Sequence, residues 1–112
     1  MVESILTSIK TLLGITNECT DFDPVIIMHI NSVFTILNQM GVGPTAGFRI
    51  EDKNTSWDEY LSPEDDLDAV KSYIYLKVKM LFDPPLGSAV MTAMNNQINE
   101  LEWRLNVGSN QE

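Results

Sequence analysis

The chain has 112 residues, 44% hydrophobic and 21% charged, the size and composition of one small soluble domain and too little for two. Seven Lys and Arg against sixteen Asp and Glu give a net charge of −9, which excludes a surface built to clamp phosphates or anionic lipid. One cysteine, Cys19, and one histidine, His29, exclude an internal disulfide and a structural zinc site.

The opening residues, Met-Val-Glu-Ser-Ile-Leu-Thr-Ser-Ile-Lys, carry Glu3 where a signal peptide has a basic start and an apolar run, so an intracellular origin is expected. No stretch approaches the roughly 18 apolar residues of a membrane span. Asn54-Thr55-Ser56 matches a glycosylation sequon, a match without meaning unless the chain is secreted.

Gly, Pro and capping residues divide the chain into four helical segments with an irregular middle. The first helix covers residues 3 to 13, with Ile5, Ile9, Leu12 and Leu13 at helical spacing and Gly14 placed to end it. The second starts at Asp23-Pro24, an acceptor cap followed by a residue with no N–H to satisfy, and runs to Gly41. From 43 to 57 the pattern fails. Gly43-Pro44 and Gly47 break any helix, and Phe48, Ile50 and the turn-prone Lys53-Asn54 suggest a small extended element or hairpin. Ser56-Trp57-Asp58-Glu59 matches a capping box, so one short helical turn is expected to carry Trp57, Tyr60 and Leu61 inward. Ser62-Pro63 is read as the cap of the third long helix, with Glu64, Asp65, Asp66 and Asp68 in its first turns and Lys77 and Lys79 near its end at Phe82. Asp83-Pro84-Pro85-Leu86-Gly87 is too rigid and donor-poor for helix, and a fourth helix follows from Ser88 to Asn106. Residues 108 to 112 look frayed. The fold class is mainly α, a single-domain bundle of about four helices with a long irregular loop or short β-hairpin between helices 2 and 3.

In the second helix Val25, Ile26, Ile27, Ile30, Val33, Phe34, Ile36, Leu37 and Met40 cover an arc of roughly 200°, wider than a one-sided helix needs, which predicts the central helix. Its remaining face is Asn31, Ser32, Thr35, Asn38 and Gln39, and no Asp, Glu, Lys or Arg occurs from Pro24 to Phe48. Solvated faces usually carry charge, so this neutral strip is expected to lie under the long loop or another subunit, an uncharged exposed face being the plainer reading. The third helix has two apolar rows: Leu67, Val70, Ile74, Val78 and Leu81, and on nearly the opposite side Ala69, Tyr73, Leu76 and Met80. The second row suits a protomer contact, with burial under the first helix as the alternative. The fourth helix aligns Val90, Met94, Ile98, Leu101 and Leu105, with Trp103 on the far side beside Asn95, Asn96 and Asn99. An aromatic there reads as an interface anchor or as a ring folded back on its own helix or the loop. The six methionines read as adaptable packing.

Chemistry is scarce. His29 flanks an apolar arc with no second ligand, and no G-x-S-x-G, P-loop or G-x-G-x-x-G pattern occurs, so no catalytic residue, cofactor or metal is assigned. The stretch from Glu51 to Asp68 holds eight acids, Glu51, Asp52, Asp58, Glu59, Glu64, Asp65, Asp66 and Asp68, against Lys53, or −7 of the net −9. The order of a calcium loop is missing. The field is either a solvated loop and helix start or a surface that repels phosphate, past which DNA slides.

The arrangement resembles the head-tail connector, or head completion adaptor, proteins of long-tailed bacteriophages and prophages. The resemblance covers Ile5 to Leu105: a first helix ending Leu12-Leu13-Gly14-Ile15, the acidic lead-in Asp21-Phe22-Asp23-Pro24, an irregular middle, Tyr73-Ile74-Tyr75-Leu76-Lys77-Val78-Lys79, then Phe82-Asp83-Pro84-Pro85 and a last helix. It implies a structural protein without enzymatic activity, assembling as a ring, expected to be dodecameric, under the portal. Such a ring joins the DNA-filled head to a tail-side completion or stopper protein, in a virion assembled in the bacterial cytoplasm. It also implies that Val42 to Tyr60 reaches a neighbouring subunit and that the last turns contact the portal. The protomer contacts expected are Asn31, Thr35, Asn38, Tyr73, Leu76, Met80 and Trp103. DNA passes through the channel unbound, and no membrane is involved. The rival readings are an acidic regulatory module that mimics DNA to inhibit a nucleic-acid enzyme, and a small hydrolase using acids with a divalent ion.

Overall fold

Helix boundaries fall near the residues whose chemistry ends or starts a helix. The structure, a computed structural model, describes residues 3–62 and 66–110 and holds five helices: α1 (Ile5–Leu13), α2 (Asp23–Gln39), α3 (Trp57–Tyr60), α4 (Leu67–Phe82) and α5 (Ser88–Asn110). Ser4 caps α1 by accepting from the Thr7 N–H. Gly14, at φ 83°, closes it in a Schellman-type turn, its N–H donating to the Thr11 carbonyl while the Ile15 N–H donates to Lys10.

Asp23 differs from its expected role. It is the first helical residue, Phe22 stands at the cap without a side-chain bond, and the Asp23 carboxylate is drawn instead to Lys10 at 2.9 Å. Lys10 is almost wholly buried, and its ammonium also donates to the Cys19 carbonyl at 2.8 Å. That one side chain ties the end of α1 to the α1–α2 turn and to the start of α2.

The capping box forms as expected: Ser56 N–H donates to the Glu59 carboxylate at 3.0 Å, and α3 turns Trp57, Tyr60 and Leu61 into the core. α4 starts later than expected, with Asp66 at its cap accepting from the Ala69 N–H at 3.1 Å. The Pro63 cap and the carboxylates of Glu64 and Asp65 lie outside the described residues. α5 continues through Asn110, past the fraying expected from 108.

The central helix is α4, not α2: it packs against α1, α2 and α5. Both of its apolar rows point into protein, because α1 and α2 cover part of its surface and α5 another part. Val70, Ile74 and Val78 are buried, and so are Tyr73 and Leu76 of the row expected to face another subunit, while the ends of the first row, Leu67 and Leu81, are exposed. α5 lays Met94, Ile98, Leu101 and Leu105 on this core, and Val90 at the head of that stripe stays 54% exposed.

Among the described residues the middle segment contains no strand and no hairpin. Its extended part pairs with the lead-in to α1: Ile5 N–H donates to the Thr55 carbonyl and Trp57 N–H to the Glu3 carbonyl, around a single bridge between Ser4 and Ser56. Trp57 Nε1–H donates to Ser8 Oγ at 2.9 Å, and the Ser8 hydroxyl donates to the Ser4 carbonyl at 2.6 Å. Phe34, Phe48 and Tyr60 form an aromatic triad with centroids 4.6 to 5.3 Å apart. Gly43, at φ 83°, passes so close to the Tyr60 ring that a Cβ there would collide with it.

Candidate functional site

The outer face of α2 and the segment 46–49 enclose a neutral groove of about 800 Å³. Its α2 wall is Pro24, Ile27, Met28, Asn31, Ser32 and Thr35, and its other wall includes Gly47, Phe48 and Arg49. The groove exists because α2 buries only the side holding Ile26, Ile30, Val33, Phe34 and Leu37. Met28, on the opposite side, is 57% exposed.

The polar residues on this strip divide by use. Asn31 is spent inside the protomer: its amide donates to the Ile50 carbonyl at 3.0 Å, and its oxygen accepts from the Ile50 N–H at 2.8 Å. That pair satisfies both main-chain groups of a fully buried Ile50, so the strip is in part covered by its own loop. Asn38 likewise donates to the Pro44 carbonyl at 3.0 Å. Ser32 and Thr35 are exposed, their hydroxyls donating back to the carbonyls of Met28 and Asn31 along the helix.

The remaining expected contact residues do not join this surface. Tyr73 and Leu76 lie inside the protomer, with the Tyr73 hydroxyl donating to Glu102 at 2.8 Å. Burial, reinforced by the Glu102 carboxylate, pushes the Tyr73 phenol well above its ordinary range. Met80 is half-buried and lines a second, smaller cleft of about 320 Å³ between α2, α4 and α5, shared with Ser32, Ile98 and Asn99. Trp103 is 67% exposed on the outer side of α5.

The acidic field is exposed at Glu51, Asp52, Asp58, Glu59, Asp66 and Asp68. Several of its carboxylates hold local structure: Asp52 accepts from the Asn54 N–H at 2.9 Å, Asp58 accepts from the Ser56 hydroxyl, and Glu59 and Asp66 cap helices. Among the described residues no group of three His, Cys, Asp or Glu side chains stands close enough to hold a metal ion. Likewise, no helix there is long and apolar enough to cross a membrane.

Arg49 was not singled out by sequence reasoning. It is the first charge after the uncharged run from Pro24, and it stands where the neutral groove meets a neighbouring one that also holds Glu51 and Asp52. Among the described residues it forms no ion pair, whereas Lys10, Lys71, Lys77, Lys79 and Arg104 all do. Its position as the residue that ends the charge-free run from Pro24 to Phe48 was the available signal. A surface with a neutral floor, one cation at its edge and no assembled reactive group is suited to holding protein rather than transforming a substrate.

Compared with known proteins, the chain matches a family model described as phage connector protein over residues 5–112. No curated protein and no solved structure matches the chain.

Proposed function

The chain belongs to the phage connector protein family, a structural family whose members associate with other phage head and tail proteins, and from that premise we propose that it is a head-tail adaptor of the virion. Copies of it form a closed ring, expected to be dodecameric, beneath the portal of the filled head. The ring extends the DNA channel and offers its far side to a tail completion protein. It performs no reaction.

The observation that carries this reading is open surface outside the acidic stretch on a chain of net charge −9: the uncharged Met28, Ser32 and Thr35 on α2, and the exposed indole of Trp103 on α5. Large exposed apolar side chains set among neutral polar ones are the composition of an interface core, which excludes charge more strongly than it gathers apolar area. Of the expected contact residues, Thr35 and Trp103 have side chains facing outward for this work. Tyr73 and Leu76 support it only by holding the protomer together. The acidic carboxylates from Glu51 to Asp68 serve as a surface that DNA passes without adhering, since each phosphate contact withheld removes a salt-sensitive attraction.

The test is negative-stain imaging of the purified chain mixed with portal rings from a long-tailed phage encoding a protein of this family. Added density with the portal's axial symmetry supports the adaptor reading. A chain that leaves the portal bare at every concentration contradicts it.

A further inference from the structure

Two runs of this chain carry no Asp, Glu, Lys or Arg: Pro24 to Phe48, which supplies α2 and part of the groove's loop wall, and Pro84 to Asn99, which supplies the first half of α5. Each leaves an uncovered face. On α2 it is the groove; on α5 it is the outward row Ala89, Thr92 and Asn96, continued at the same spacing by Asn99, which also borders the cleft to α2 and α4, and by Trp103, which lies past the run beside Glu102 and Arg104, all five of the row exposed. Resting on the ring reading, we propose that these two faces are the two halves of one protomer contact: the outward row of α5 in one copy docks into the α2 groove of the next, with Trp103 as its anchor.

Charge selects the occupant. The stretch from Glu51 to Asp68 holds −7 of the net −9, so two copies meeting through it would repel, whereas these two faces lie outside it in sequence. Dimensions agree. At 1.5 Å per residue the groove's α2 wall from Pro24 to Thr35 is about 17 Å long, and the row from Ala89 to Trp103 is about 21 Å.

The edge of the groove agrees as well. Arg49 has no ion-pair partner among the described residues, and the outer side of α5 brings an indole face at Trp103 and a carboxylate at Glu100. Among the described residues Glu100 pairs with Arg104, in an exposed pair one helical turn apart that costs little to exchange. A guanidinium over an indole is a favourable pairing once water is excluded. Because the two faces differ, the contact is head-to-tail, the type that closes into rings rather than stopping at a dimer.

The experiment uses the full chain in a Cys19→Ser background with Thr35→Cys and Asn96→Cys introduced together, oxidised mildly and run without reductant. The expected result is a ladder of covalent oligomers, while either single variant stays at the monomer position. Disulfide dimers from a single variant indicate a symmetric contact and overturn the inference. A companion variant, Thr92→Glu, puts a charge in the middle of the row at an exposed helical site. It is expected to raise the concentration needed for assembly by about tenfold or more with the circular dichroism spectrum unchanged. Assembly of normal size and affinity in Thr92→Glu, with no ladder from the double-cysteine chain, overturns this contact and leaves the ring reading standing. A wild-type chain that is monomeric both alone and with portal overturns both.

Discussion

The middle segment and the last helix divide the labour of the molecule in opposite ways. Residues 42–61 have little regular structure, yet they place Ile50, Trp57, Tyr60 and Leu61 in the core and draw Asn31, Asn38 and Ser8 into hydrogen bonds with them. α5 is the longest helix, yet it contributes one stripe to the core and leaves the opposite row in water. Regular backbone is therefore no guide to which part stabilises the protomer. A side chain whose hydrogen bonds are satisfied at home has little to offer a partner; one left bare does.

If that contrast holds, substitutions in the irregular segment should unfold the chain, and those on the outer row of α5 should change only its company. The largest effect is expected at Trp57. Trp57→Ala removes a buried ring and the indole bond to Ser8, and should cost about 3–5 kcal/mol in urea unfolding. Asn31→Ala should follow at about 2 kcal/mol, since it strands the N–H and carbonyl of buried Ile50, and the same measurement checks it. Trp103→Ala should move monomer stability by about 0.5 kcal/mol or less while abolishing assembly seen by light scattering. Equal losses of stability from Trp57→Ala and Trp103→Ala would erase the distinction.

The smallest expected effect is electrostatic. The hydrogen bond from Lys71, at 2.9 Å, holds the Glu3 carboxyl below its ordinary value of 4.5. A depressed folded-state value stabilises the fold above the ordinary range and loses that contribution as pH falls through the lowered value. Glu3 is half-exposed, so solvent screening keeps the effect at roughly 0.5 kcal/mol or less. Lys71→Ala should narrow the gap between melting temperatures at neutral and acid pH by a correspondingly small amount.

Much of the fold was legible because it is written in local chemistry: Gly14 after an apolar repeat, Ser56 three residues before Glu59, a Pro-Pro elbow after Phe82. The stripe of α5 and the outward position of Trp103 followed from periodicity alone. The hub role of α4 did not. Two opposed apolar rows describe a helix shared with a neighbouring subunit as well as one enclosed by its own chain, and only the placement of α1, α2 and α5 decides. The neutral strip was ambiguous for the same reason: Asn31 reads identically in sequence whether its amide meets Ile50 or a partner. Lys10 was illegible because an isolated lysine reads as solvated, and its burial depends on a carbonyl nine residues on and a carboxylate thirteen residues on.

Sedimentation velocity of the intact wild-type chain across a wide concentration range tests most directly whether its bare neutral faces serve other copies. The account predicts that the 12.6 kDa species gives way to a closed assembly of one defined large size, with dimers and trimers scarce. A single 12.6 kDa boundary at every concentration, persisting when portal rings are added, would contradict it.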